Sequence, residues 1–570
     1  MHIYNGGYMM RSKRMIALLL TATLLGTTFT ACGGGNEQTG TSVGEKQEAS
    51  ETSDLQEKYA AGEWKKYEEP ITLTFGDPYD INNNFFTAMA NIGEPYNDNR
   101  WTRYFEDEVG VQTEYTLLAP NSSDYKQKLT LAMTSGDLPD IFFVPDLGTY
   151  QQLVDAGAVA DLTEYYQTDA NPTLKNIMEE EGDDFLSNYK IDNKLYCLPG
   201  KMPSTNGYSY LWIRKDWLDK LNLEVPKTMD DVTKVAEAFA TQDPDGNGKD
   251  DTIGLNIDSL YTYFGADGIF WAFGAGNAGQ KYWQKLDDGT VGYSMVQPEN
   301  KEALKWLNNL YENGWLNQDF STMQFSDYSQ LIASGKVGMF YGCHWYANYM
   351  DAVRNDIKDQ DWMAVLAPGT DGNPAPVYAS VDTNGLYCVN ANCEHPEAIM
   401  ALFNAYAEKL FGENNDFDNF FAIEENSNLW QCGPFSFLAA DVDIKPHREM
   451  KQALADGTTD QLTGTAASYW KQIQDGSLNY KLEFGPENSC FNLVDETYPD
   501  IFVWNQYQGV PTATQTTNWG GMQEIIDTAY ISMINGETDI DTGFDQMVDA
   551  WMAAGGEAVT AEVNEIVSGR

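Results

Sequence analysis

The sequence predicts an α/β fold in two lobes, and three observations carry that expectation. About 500 residues follow the N-terminal signal and tether, more than a single hydrophobic core usually serves. Between Ile71 and Val144, strand-like and helix-like patterns alternate, the order of a parallel sheet built from βαβ units. Beyond residue 300, helical stretches end at glycines and short apolar strands sit between them.

Taken in order, ITLTF (71–75) reads as a buried strand. After a long loop, Trp101–Glu108 reads as a helix and Val111–Tyr115 as a second strand. Tyr125, Leu129, Ala132 and Met133 fall at helical spacing with Gly136 as the stop, and IFFV (141–144) follows as a strand. Helices are expected over 301–313, 327–334, 521–535 and 544–554, each followed by a glycine, and strands over VGMFY (337–341) and GLYCV (385–389). No internal repeat is visible.

The N-terminus is processing signal. Arg11, Lys13 and Arg14 precede the apolar run Met15–Leu25 and then GTTFTAC. As a helix that run would rise about 16 Å, half of a ~30 Å hydrocarbon core, so a permanent span is disfavoured. Phe29, Thr30, Ala31 and Cys32 resemble a bacterial lipobox, with Phe29 departing from the Leu that the pattern prefers. The resemblance implies cleavage after residue 31 and a lipid on Cys32. Residues 32–69 are rich in Gly, Ser, Thr, Gln and Glu, cannot bury enough apolar surface to order themselves, and form an acidic tether with a reach of about 30 to 35 Å.

The formal charge is −50. Three of the 35 basic residues and none of the 85 acidic ones precede Cys32, so the processed chain would carry −53. Nucleic acid is excluded as a partner, because this field repels a polyanion, and a polybasic membrane surface is excluded for the same reason. Membrane attachment then rests on the lipid, and a monomer is expected. After Cys32, cysteines remain at 197, 343, 388, 393, 432 and 490. A Cys388–Cys393 bond and separate buried thiols are both open readings.

Several segments in order resemble the extracellular solute-binding proteins of ABC-type sugar importers, in particular a larger branch of lipoproteins and alginate-oligosaccharide binders. They are SGDLPDIFFVPD (135–146), LVDAGAVADLTEYY (153–166), KLYCLPG (194–200), the long block 211–255, IASGKVGMFYGCHWYANY (332–349) and the tail 543–567. The resemblance implies a two-lobed periplasmic-binding-protein-like fold of type II, with the ligand between the lobes and the closed form presented to a permease. Chain order allots 70–203 and 384–500 to lobe one, and 204–383 and 501–570 to lobe two.

DPDGNGKDD (243–251) has EF-hand-like spacing. Asp243, Asp245, Asn247 and Asp251 offer side-chain oxygens, Lys249 a backbone carbonyl, and Gly248 the sharp turn, a set suited to structural Ca²⁺. The twelfth position is Gly254 rather than the bidentate Glu, and Thr252 stands where the family's related loop can close with an acid. The same residues also suit a metal-free Asp/Gly turn.

Aromatic residues make up 13% of the chain, and pyranose rings present apolar faces that stack on them. The family's cleft loops correspond here to those carrying Trp345, Trp519, Trp271 and Asp146, each of which could instead serve packing. Trp345 leads, because resembling proteins place a stacking Trp after this strand. No catalytic residue is assigned. After Cys32 only His344, His395 and His447 occur, without HExxH, GxSxG, a P-loop or a dinucleotide-binding glycine pattern. The expectation is a receptor, not an enzyme, that captures an oligosaccharide outside the cytoplasm and passes it to permease subunits. A peptide or other nutrient receptor on the same fold is second, and a secreted glycoside-active enzyme third.

Overall fold

The computed structural model describes residues 67–569 apart from 79–91, 120, 181–184, 258–259, 261–264, 277–281, 324, 351–359, 382, 413–414, 422 and 425–426. Cys32, the signal and nearly all of the tether lie outside the described residues. Besides three short two-stranded hairpins, the strands in chain order are β1 (Ile71–Asp77), β2 (Val111–Leu118), β3 (Ile141–Val144), β4 (Cys197–Lys201), β5 (Tyr210–Arg214), β6 (Ile253–Asn256), β7 (Val337–Gly342), β8 (Trp362–Leu366), β9 (Val377–Ala379), β10 (Thr383–Val389) and β11 (Phe502–Trp504).

Two sheets organise the chain. The first runs β2-β1-β3-β10-β4, with β1, β2 and β3 parallel and β10 antiparallel to both of its neighbours. The second runs β8-β5-β7-β6, with β6 and β7 parallel and β5 antiparallel to β7 and β8. Strand ITLTF extends two residues further than its apolar run suggests. Gly76 lies so close to Tyr125 and Phe142 that a Cβ there would stand 3.1 Å from each.

Local chemistry explains the first helix, Arg100–Val109. The Asn99 side chain accepts from the Trp101 and Thr102 amides, Thr102 returns the capping box, and Gly110 ends the helix at φ 75°. The spacing of Trp101, Phe105 and Val109 puts all three on the buried face, where the Trp101 ring stacks on Tyr406 at 4.6 Å. In the second lobe, Arg214 is buried at the end of β5, bonded to Asp216 at 2.6 Å with its guanidinium 4.3 Å from the Trp217 ring. All six cysteines from 197 to 490 are buried free thiols, which decides between the two readings left open for Cys388 and Cys393.

The segment expected to belong to lobe one as 384–500 divides near residue 440. Phe435 packs on Phe75, Tyr387 and Phe403 of the first lobe, and the Leu438 amide donates to Lys201 O at 2.9 Å. The helices Ile444–Asp456, Gly464–Gln474, Leu478–Phe484 and Cys490–Thr497 instead cluster together and meet β8 and the turn after β7. Tyr210 Oη of β5 donates to Cys490 O at 3.4 Å, and Glu483 Oε2 lies 3.1 Å from His344 Nδ1. Those contacts, all distant in sequence, tie 444–497 to the second sheet.

Candidate functional site

Register fixes which strand ends share an edge in each of the two sheets. In the first sheet, Gly76 lies opposite Phe142, Leu386 opposite Val144 and Thr383 opposite Lys201, so the carboxyl ends of β1, β2, β3 and β4 and the start of β10 share one edge. In the second, Gly342 and Leu366 both lie opposite Tyr210, and Phe340 lies opposite Asn256. The carboxyl ends of β6, β7 and β8 therefore share the edge at which β5 begins. The chain passes between the sheets from Lys201 to Tyr210 and from Leu366 to Thr383, edge to edge. Ligands of open α/β sheets bind beyond the carboxyl ends of strands, and here two such edges are the ones that the passages join.

The first edge is polar. Asp77 ends β1, half-buried, with the Tyr96 phenol near its carboxyl. Burial pushes this carboxyl up to about 7, and the neighbouring Tyr96 hydroxyl only partly opposes it. The Tyr96 and Tyr115 rings are 4.5 Å apart, and Tyr125 Oη donates to Phe143 O at 2.9 Å. Asp146, two residues past β3, caps the helix Leu147–Asp155. Its Oδ1 accepts from Thr149 N at 2.8 Å, and its Oδ2 accepts from Thr149 Oγ1 at 3.0 Å and Lys126 Nζ at 2.8 Å. Burial acts upward on Asp146, but these donors outweigh it and hold the carboxyl below its ordinary value.

The second edge is aromatic. After β7 the single turn His344–Tyr346 carries Trp345, half-buried, with its ring stacked on Tyr346 at 4.4 Å and 26° and edge-on to Tyr349 at 6.4 Å. Beneath it, His344 is buried between Glu483 at 3.1 Å and Asn206 Oδ1 at 3.2 Å, and burial pushes the imidazole down to about 3. Asn206 belongs to the passage from the first sheet to the second, so one imidazole joins that passage, the turn and the helix Leu478–Phe484. Further along the passages, β9 pairs parallel with β11 and leaves Tyr378 and Trp504 half-buried.

Of the residues singled out from sequence, Asp146 and Trp345 reach these edges. Trp271 is buried in the helix Asp267–Ala272, 6.5 Å from the Tyr378 ring. Trp519, in the helix Ala513–Ile534, lies inside an aromatic cluster, edge-on to Tyr293 at 5.0 Å and tilted to Trp283 at 6.5 Å, with 9% of its surface exposed. Asp77, Asn206, Tyr378 and Trp504 were not anticipated. Asp77 could have been found by the logic applied to Asp146, since both follow an apolar strand of the parallel set.

The acidic loop is on the outer side of the second lobe, between the helix Met229–Thr241 and β6. Asp243 accepts from the Asn247 amide at 3.1 Å and the Gly248 amide at 3.0 Å, and Gly248 turns at φ 75°. Asn247 Nδ2 bridges Asp245 at 2.6 Å and Asp251 at 2.9 Å, and the Lys249 amide donates to Asn247 Oδ1 at 2.7 Å. Lys336 Nζ lies 2.8 Å from Asp251 and holds that carboxyl below its ordinary value. Among the described residues no three His, Cys, Asp or Glu side chains converge as a ligand cage; Asn247 links these acids instead. Neither later position completes the set. Thr252 Oγ1 donates to Phe239 O at 2.7 Å, and a Cβ on Gly254 would fall 2.1 Å from Ala236 O.

Comparison with known proteins agrees with this architecture. Residues 87–409 match the family described as bacterial extracellular solute-binding protein. The polygalacturonan/rhamnogalacturonan-binding protein YtcQ of Bacillus subtilis is 26% identical over 473 residues, 81% of this chain and 86% of that protein. Lipoprotein LipO of the same organism is 22% identical over 470 residues, 81% of this chain and 87% of LipO. Among solved structures, the S. pneumoniae ABC-transporter substrate-binding protein FusA in complex with kestose superposes with a TM-score of 0.61 at 19% identity, covering 87% of this chain and 99% of FusA. An EF-hand mutant of FusA in complex with fructo-nystose gives 0.60 at 18%, with coverage of 87% and 99%. Among the described residues no helix is long and apolar enough to cross a membrane.

Proposed function

Because this chain belongs to the bacterial extracellular solute-binding protein family, we propose that it is a lipid-anchored receptor that captures an oligosaccharide between its two sheet edges and delivers it to an ABC importer permease. The observation that carries this reading is that the passages join a polar edge ending in Asp77 and Asp146 to an aromatic edge ending in Trp345. A pyranose or furanose ring has apolar C–H faces and a rim of hydroxyls. An indole supported from behind by Tyr346 takes the first, and carboxylates and phenols take the second. The names of YtcQ and FusA both point to a saccharide, an acidic one for YtcQ and a neutral one, kestose, for FusA.

Binding here is capture without bond breaking. The passages between the sheets act as the hinge, and His344 fixes the aromatic turn against one of them through Asn206. Trp345 supplies the stacking face, while Trp271 and Trp519 support the second lobe from within. Asp146 holds the helix behind the polar edge. The test is a glycan panel read by thermal shift. A ligand at a hundred times its Kd adds about 2.7 kcal/mol to the native state and raises the melting temperature. A panel of neutral and acidic oligosaccharides without a single shift, alongside a peptide library that gives one, would replace this reading.

Two further parts belong to the proposal. The donors of Asp243, Asp245, Asn247 and Asp251, with the Lys249 carbonyl, suit Ca²⁺, a hard cation that would neutralise the loop's clustered charge and tie it down. The side chains stand around one residue, Asn247, without forming a ligand cage as they lie, and with the truncated far end this argues for modest affinity. The EF-hand named in the FusA structure supports the same reading. Cys32 carries the lipid, in line with the lipoprotein LipO. Cys32→Ser should release the protein from membranes; retention of that variant, with no labelled fatty acid in the wild type, would contradict it.

A further inference from the structure

A sugar hydroxyl and a uronate carboxylate ask opposite things of a protein. The hydroxyl donates to an acceptor, whereas the carboxylate needs cations or several N–H groups around it. Asp77 is placed to meet the first demand and refuse the second. It is the last residue of β1, opposite Leu118 of β2, where the chain's connections diverge to either side of β1, and it is half-buried at that edge. The groups that bear on it are the phenols of Tyr96, Tyr115, Tyr125 and Tyr387, none of which offers positive charge. At this edge Lys126 is engaged with Asp146 at 2.8 Å. The described arginines are held by acids as well: Arg100 and Arg103 by Glu94, Arg214 by Asp216 and Arg448 by Asp495. Over the whole chain 85 acidic residues face 35 basic ones.

We propose that Asp77 is a specificity-determining contact of the cleft, accepting hydrogen bonds from sugar hydroxyls and turning away uronates, so that the ligand is an uncharged saccharide. The proposal rests on the oligosaccharide reading above. Two carboxylates about 5 Å apart in a partly desolvated cleft repel strongly enough to weaken binding by about a hundredfold.

The experiment is calorimetric titration of the purified full chain at pH 8 with neutral trisaccharides (kestose, maltotriose, xylotriose) and with trigalacturonate, for the wild type and for Asp77→Asn. The wild type should bind a neutral sugar at least about a hundredfold more tightly than trigalacturonate. Asp77→Asn, isosteric and with a native melting curve, should narrow that ratio at least tenfold. At pH 5.5, where Asp77 holds its proton, the wild-type ratio should narrow too, while the variant's stays fixed. Trigalacturonate binding the wild type as tightly as any neutral sugar, or a ratio unchanged by Asp77→Asn, overturns this proposal alone. Failure of every sugar to bind overturns the oligosaccharide reading and takes this one with it.

Discussion

The two edges of the cleft bury an ionisable group each, and burial moves the two in opposite directions. Asp77 on the first edge is an acid, so desolvation raises its pKa to about 7; His344 on the second is a base, so desolvation lowers its pKa to about 3. The difference lies in what surrounds them. His344 is enclosed and spends both ring nitrogens on Glu483 and Asn206, whereas Asp77 stands half-buried at the end of its strand. Of these two buried groups, His344 is committed to holding the architecture beneath Trp345, and Asp77 is not.

The largest effect should come from breaking the committed side. Replacing Glu483, fully buried on the helix Leu478–Phe484, with Ala opens a cavity and strips His344 of a partner. The expected cost is about 3 to 5 kcal/mol in denaturant unfolding, with ligand affinity retained by whatever remains native. A loss below about 1 kcal/mol would mean that the second edge is not locked from below. Trp519→Ala should cost about 3 kcal/mol in the same measurement, because its ring packs on Tyr293 and Trp283. Full stability combined with lost sugar binding would return Trp519 to the cleft.

Smaller, and opposite in sign on the two sides, are the pH effects. The folded His344 binds a proton only near pH 3, the unfolded imidazole near 6.5, so the unfolded chain takes up the proton first and stability falls as pH drops from about 6.5 toward 3. His344→Gln should flatten that acid limb. The folded Asp77 carboxyl protonates near 7 and the unfolded one near 3.8, so its contribution to stability falls as pH rises from about 4 to 7. Asp77→Asn should therefore raise the melting temperature at pH 8 and not at pH 4. Parallel responses of the two variants would break the comparison.

The smallest effect is expected outside the cleft. Chelation should lower the melting temperature by a few degrees, and the double change Asp243→Ala/Asp245→Ala should abolish that sensitivity while leaving sugar affinity unchanged. An identical melt with and without chelator, and no metal in the purified protein, would make the loop a plain Asp/Gly turn.

The strands and helices near the first edge were legible in the sequence because they are signalled locally, by an apolar run, by helical spacing or by a stop such as Gly136. Lobe membership of 444–497 was not, since it rests on contacts such as Tyr210 with Cys490, 280 residues apart. Trp345 could be placed because a strand delivers it to an edge. For Trp519 and Trp271 the residue type says only that a large ring needs partners, and the helices Ala513–Ile534 and Asp267–Ala272 supply them inside the lobe. Asp77 escaped notice because the strand is read from its apolar residues and ends, by that reading, two residues too early.

The central claim, that an oligosaccharide is held between a polar and an aromatic edge, is tested most directly at Trp345. Titration calorimetry of Trp345→Ala with the best ligand of the glycan panel, beside its melting curve, should show affinity reduced by about thirtyfold to a thousandfold and a melt close to wild type. Unchanged affinity, or a melt so depressed that the native state is lost, would place Trp345 in the scaffold and contradict the account.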